Sequence, residues 1–365
     1  MSTGLTVGVE EEYLLVDRST GENVPRAGEV YTGLPAELRS HNRAEFRPCM
    51  VEMVTSPAVE LAAVRAEVAT LRTATATAAA AAGARAVAVG ATPVGEADRT
   101  PTEDSRYRGI VQHYGPIARD PAVCGCHVHV GVPSRGAAVD VCRRVRPWLP
   151  VIQALAANSP LHSGVDTGYA SWRGVQLDRW PGVGPTPHVV SEKEYDEAVA
   201  SLVESGVMLD PGLVLWHARP SERYPTVEIR IADVCATVGD AVLVAGLVRA
   251  LVATALSTVH DTDDPVADHV LEAAHWNAAR VGLAGTLLDP RSGRARPAWE
   301  LVEELWERVT PALLRSGDLD EVGSELSRVR REGNGADRQR AILSRTGSIA
   351  AVLSSAELGR AQGTR

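Results

Sequence analysis

Gly8-Val9-Glu10-Glu11-Glu12-Tyr13-Leu14-Leu15-Val16 is the stretch on which the fold turns. Followed back to Leu5, it alternates with a period of two. Val7, Val9, Tyr13 and Leu15 fall on one side and Gly8, Glu10 and Glu12 on the other, the pattern of a strand with one face in a core. Glu11 falls on the apolar side. Glu10 and Glu12 are then neighbours in space, and two carboxylates that close repel by roughly a few kcal/mol at an intermediate dielectric. They call for cations. Magnesium suits them, being held by one or two carboxylates while water and substrate phosphates complete its shell. A charged, solvent-facing edge strand is the plainer alternative.

Three further segments repeat the theme. Glu45 to Ser56 reads as a strand, and Glu52 stands alone among apolar neighbours in Met50-Val51-Glu52-Met53-Val54. A buried acid of that kind needs a partner or a metal. Glu45, at the start of the strand, is equally compatible with solvent. In Cys126-His127-Val128-His129-Val130-Gly131 the two histidines share a face, which fits either metal ligation or two hydrogen-bonded core histidines. Thr226-Val227-Glu228-Ile229-Arg230-Ile231 alternates again and sends Glu228 and Arg230 the same way, as a metal ligand beside a phosphate clamp would require. Four strands each carry ionisable side chains on a single face. Their simplest common cause is a cation-filled cleft lined by one side of a sheet.

The remaining elements are read around these strands. Glu60 to Gly83 has helical spacing of Leu61, Val64, Val68 and Leu71 with a glycine stop, and Val87 to Gly90 is a short strand. Thr100 to Tyr114 suggests a loop with a short helix, and Val139 to Ala157 a helix. Asn158 to Pro187 reads as a long Gly/Pro/Trp-rich loop, and loops of that length are usually functional. A helix from Ser191, strands at Leu213 to Ala218 and Thr226 to Asp233, and helices at Val238 to Thr258, His275 to Val281 and Ala298 to Val309 follow. Without strict βα alternation, this order favours an α+β fold with an antiparallel sheet and helices packed on its outer side. We read residues 1–365 as a single catalytic domain, with a core over about 5–350 and a flexible tail over about 355–365.

Composition narrows the function. The 365 residues are 45% hydrophobic and 23% charged, enough for a sizeable core. A formal net charge of −9 without basic runs argues against a nucleic-acid partner. Met1 to Tyr13 lacks the pattern of a secretory signal, and the apolar stretch Ala241 to Leu256 contains Arg249 and is about sixteen residues long, short for a membrane span. Cytoplasmic location and reduced thiols at Cys49, Cys124, Cys126, Cys142 and Cys235 are therefore expected. Lys193 is the sole lysine among 37 basic residues, which disfavours Walker-type phosphate binding. Its place in Ser191-Glu192-Lys193-Glu194 reads as a capped helix start.

In combination these motifs resemble the type 2 glutamate–cysteine ligase family, carboxylate–amine ligases with a glutamine-synthetase-like fold. Asp166-Thr167-Gly168-Tyr169-Ala170-Ser171-Trp172-Arg173, Arg219-Pro220-Ser221 and Trp276-Asn277-Ala278-Ala279-Arg280-Val281-Gly282-Leu283 add to the likeness, which runs in order over about residues 5–350. The resemblance implies a curved antiparallel sheet lining an active-site cavity, with ATP as substrate and two or three Mg2+ ions as cofactor. Glutamate and cysteine, or another amine, are the implied small-molecule substrates, and a homodimer is common among such proteins. Carried onto this chain, Glu10, Glu12, Glu52, Glu228 and His127 would ligate metal. His129, Arg230 and Arg173 would contact ATP or phosphate, with Arg230 and Glu52 catalytic. Arg219, Arg173 and Trp172 would contact substrate, and Trp172 and Trp180 would either cover the site or pack beneath it. Three rivals share some of these residues: a zinc amidohydrolase, a non-catalytic nucleotide-binding module and a phosphagen-type kinase.

Overall fold

The computed structural model describes residues 4–257 and 265–359. Thr258 and the tail beyond residue 359 lie outside them. The sheet is built from β1 (Val7–Asp17), β2 (Asn42–Arg43), β3 (Met50–Val54), β4 (Ala84–Val87), β5 (Gly125–Gly131), β6 (Ala218–Pro220) and β7 (Thr226–Asp233). Its order is β6-β7-β5-β1-β3-β2, with β4 on the later part of β1. Every pairing in it is antiparallel. The α+β expectation holds.

β1 organises the sheet because it is long enough to serve three partners. Residues 7–11 pair with β5, 10–14 with β3 and 14–17 with β4. Its alternation decides what each face meets. Val7, Val9, Cys126, Val128, Val130, Val227 and Ile229 form one apolar face in the main core, and burying each aliphatic side chain of this size contributes about 1.5–3 kcal/mol.

Glu11, on that buried side, is neutralised from the helix Leu61–Ala81. Arg72 clasps it with Nε to Oε2 at 2.9 Å and Nη2 to Oε1 at 2.5 Å, and the Tyr13 hydroxyl donates to Oε2 at 2.7 Å. Arg72 also donates to the Cys235 carbonyl. The middle glutamate of the opening motif thus belongs to a structural ion pair.

The helix Val238–Ser257 fills the centre of the helical layer. Its residues are buried without interruption from Asp240 to Val252, packed against β1, β5 and the helices Leu61–Ala81, Arg135–Val145, Ala298–Ser316 and Leu319–Glu332. At 20 residues it is long and apolar enough to cross a membrane. Length therefore does not separate it from a span, as the shorter sequence estimate suggested; packing on all sides identifies it as a core helix. Arg249 within it pairs with Asp318 and donates to the Val59 carbonyl.

Three local readings change. The expected strand from Glu45 is shorter, because Phe46 to Cys49 turn so that Arg47 can bury its guanidinium and donate to the Ala118 and Asp120 carbonyls at 2.9 Å. The segment Asn158 to Pro187 contains the helix Trp172–Leu177, capped by Ser171, whose hydroxyl accepts from Gly174 N and donates to Asp233. Leu213 to Ala218 is broken into Leu215–Trp216 and β6.

Candidate active site

The opposite face of the sheet carries the ionisable side chains, and strand register brings them side by side. Glu12 is opposite Glu52, which is opposite Arg43. Glu10 is opposite His127. In the next row Gly8, His129, Glu228 and Arg219 follow one another across four strands. Directly opposed residues on one face have Cβ atoms about 4.5–5.5 Å apart, so residues separated by more than 200 positions become contacts. Glu10, Glu12, Glu52, His127, His129, Arg219, Glu228 and Arg230 all line one cleft of about 1810 Å³.

β7 departs from regular pairing just where Arg230 is needed. Between Ile229 and Ala232 it gains one residue relative to β5, a bulge that bends the strand and re-aims side chains. Arg230 N donates to the His217 carbonyl at 2.9 Å instead. The Arg230 and Ile231 side chains both turn into a second cavity of about 320 Å³ that shares Glu12, Glu45, His127 and Arg230 with the cleft.

Of three groups of potential ligand atoms among the described residues, one, Glu11 with Cys126 and Cys235, lies in the core; the cleft holds the other two, Glu10 with His129 and Glu228, and Glu10 with Glu52 and His127, each with its atoms within 4.8 Å of one another. Glu10 belongs to both of these. Its Oε2 lies 3.3 Å from His127 Nδ1 and its Oε1 3.2 Å from His129 Nε2. The Nε2 atom of His127 is buried without a hydrogen-bond partner, a cost that ligation would remove. An oxygen-rich set with two imidazoles fits divalent cations, and the carboxylate majority favours a hard one such as magnesium.

The electrostatics are those of a site short of positive charge on one side. Burial raises the Glu52 carboxyl well above its ordinary range, and Glu45, Glu10 and Glu12 add to it. Glu45 is pushed up to about 7 by burial and by Glu12. On the other side burial is outweighed. Arg230 and Arg219 hold Glu228 ionised, with Arg219 Nε 2.8 Å from its Oε2, and the two histidines keep Glu10 low against the same burial. Burial and Arg230 lower His127, leaving it the neutral imidazole a metal would bind.

The other residues singled out in sequence fall elsewhere. Arg173 lines the smaller cavity, beneath Gly125. Trp172 lines neither cavity; its ring is tilted against His162 and meets Tyr169 edge-on, with centroids 5.6 and 5.5 Å away. Trp180 does line the smaller cavity. Lys193 is solvent-exposed beside Glu197. Cys126 points away from His127, into the core near Cys235. Sequence reasoning left Glu45 equally open to solvent and passed over His217, Gln153 and Gln176, single polar residues within otherwise apolar or irregular segments.

The family model of glutamate-cysteine ligase family 2 matches residues 6–355. The chain belongs to this family. A relative from Salinispora arenicola, named "Putative glutamate--cysteine ligase 2", is 57% identical over 352 residues, covering 96% of this chain and 93% of its own. A family member from Mycobacterium sp. strain KMS is 44% identical, covering 97% and 98%. The crystal structure of a glutamate–cysteine ligase from Francisella tularensis, in complex with AMP, superposes with a TM-score of 0.73 at 13% identity, over 97% of this chain and 87% of that one. That likeness is one of fold.

Proposed function

We propose that this family member is an ATP- and magnesium-dependent ligase, acting as one catalytic domain, that joins the side-chain carboxylate of L-glutamate to the amine of an amino acid. L-Cysteine is the acceptor that the names of its relatives supply. The observation carrying this reading is the pair of three-ligand groups that meet at Glu10 on the floor of a nucleotide-sized cleft.

Glu10, His129 and Glu228 would hold one ion, and Glu10, Glu52 and His127 another, with Glu12 beside the second. Bound magnesium supplies neutralisation of the triphosphate and of the developing phosphoryl charge. A γ-carboxylate oxygen of glutamate attacks the γ-phosphorus, and the bond to the bridging oxygen breaks to leave ADP and γ-glutamyl phosphate. The acceptor nitrogen then attacks the acyl carbon, phosphate leaves, and the nitrogen loses a proton. Arg230, set forward by the bulge and held by Glu228, contributes fixed positive charge at the transferring group. Arg219 fixes Glu228 from the other side.

The test is purified protein with ATP, magnesium and glutamate, assayed for ADP and phosphate with each of the twenty amino acids. Phosphate release that requires both glutamate and an amine is the expected result. ATP binding with no release under any pair would leave a nucleotide-binding module, and a stable phosphorylated product would indicate a kinase.

A further inference from the structure

The smaller cavity adjoins the large cleft, sharing Glu12, Glu45, His127 and Arg230 with it. Its walls are more apolar than polar. Ile110, Leu213, Tyr107 and Phe46 come from one hydrophobic cluster, and Leu177 and Ile231 complete the lining. A small polar acceptor such as cysteine would leave most of that surface facing water, which such surface disfavours.

The polar groups in the lining lack partners in a way that points to a ligand. Arg173 is 4% exposed, yet no carboxylate of the described residues lies within salt-bridge distance of it. Its Nε is unpartnered, and its Nη2 makes only a 3.4 Å contact to the Arg230 carbonyl. The Asp233 carboxylate feels its charge, but its two oxygens are engaged by Ser159, Ser171 and the Asn158 amide. A buried guanidinium without a paired acid is costly. Gly125 keeps the position open, because a Cβ there would stand 2.3 Å from Arg173 Nη2. Beside it, His217 (6% exposed) and Gln176 (4%) have Nδ1 and Oε1 buried without partners. Burial and Arg173 lower His217 to about 3, so it is neutral.

We propose that this cavity is the acceptor site and that it takes an α-amino acid with an apolar side chain larger than that of cysteine. The acceptor's carboxylate is received by Arg173 and His217, its side chain lies along Ile110 and Leu213, and its amine is turned toward Glu12 and Glu45. This rests on the ligase reading above and replaces cysteine, the acceptor in the relatives' names, with a larger apolar one.

The experiment is calorimetric titration of the full chain, saturated with magnesium and a non-hydrolysable ATP analogue, with L-leucine, L-phenylalanine, L-alanine, L-cysteine and L-leucinamide. Leucine or phenylalanine should bind about tenfold or more tighter than alanine and cysteine, from the extra apolar surface buried. Leucinamide, without the carboxylate, should lose that binding. Ile110→Trp, and independently Leu177→Phe, should weaken leucine while leaving binding of the nucleotide analogue unchanged. Cysteine or alanine binding as tightly as leucine, leucinamide matching leucine, or no leucine binding would each overturn the proposal. The ligase reading fails separately: leucine bound but no glutamate-dependent phosphate release would sink that reading and keep the pocket, whereas release with cysteine and not with leucine would do the reverse.

Discussion

Glu12 on β1 stands directly across from Glu52 on β3, and Glu45 closes on the same pair from the turn before β3. Three carboxylates in one buried corner are tolerable only with protons or cations among them.

Replacing one of them separates the two roles. Glu52→Gln should lower magnesium-dependent turnover by at least about 100-fold, since a proposed ligand is lost. In EDTA the variant should melt at or above the parent temperature, because like-charge repulsion is relieved. Phosphate-release kinetics and a melting curve check the two halves, and full activity would remove Glu52 from the site.

The same corner gives a pH dependence with a definite sign. The folded-state value of Glu45, about 7, lies above its unfolded value of about 4.3. The folded protein therefore binds the proton more tightly, and that contribution to stability is complete below about 4.3 and lost as pH rises through about 7. In EDTA the melting temperature should fall across this window. Magnesium should reverse the fall, with affinity rising over the same range because protons must leave for the ion to bind. Melting curves between pH 5 and 8, with and without magnesium, measure both.

Glu11 sits between two proposed site residues and should behave differently from either. Glu11→Ala leaves the buried Arg72 without its acid, and a loss of about 3–5 kcal/mol is expected. Glu11→Leu combined with Arg72→Met should recover much of it. Denaturant titration of the single and double variants decides this, and a double variant no more stable than Glu11→Ala would contradict the assignment.

Gly125→Ala places a methyl group where the Arg173 guanidinium lies. The arginine must move, at a cost of about 1–3 kcal/mol for overpacking. Acceptor KM should rise while affinity for magnesium and nucleotide stays near that of the parent, as initial-rate kinetics with varied acceptor would reveal.

Much of the metal side of the cleft was legible because a strand has a period of two. Glu10 and Glu12 had to share a face, as did His127 with His129 and Glu228 with Arg230. The family followed from those motifs in order. The directions of Trp172 and Arg173 were not legible, because proximity in the chain says nothing of direction: on the short helix that Ser171 caps, the tryptophan turns to Tyr169 while the arginine goes under Gly125.

By itself, then, the amino-acid order determined which side chains on each strand point together, since alternation is a local property of extended backbone. Register was beyond it. That Glu12 meets Glu52, that Glu10 stands between both histidines, that a bulge turns Arg230 forward and that Glu45 joins from a turn all depend on pairings between distant segments. Those pairings are set by how the apolar faces pack against the central helix, a constraint that exists only once the whole chain has folded.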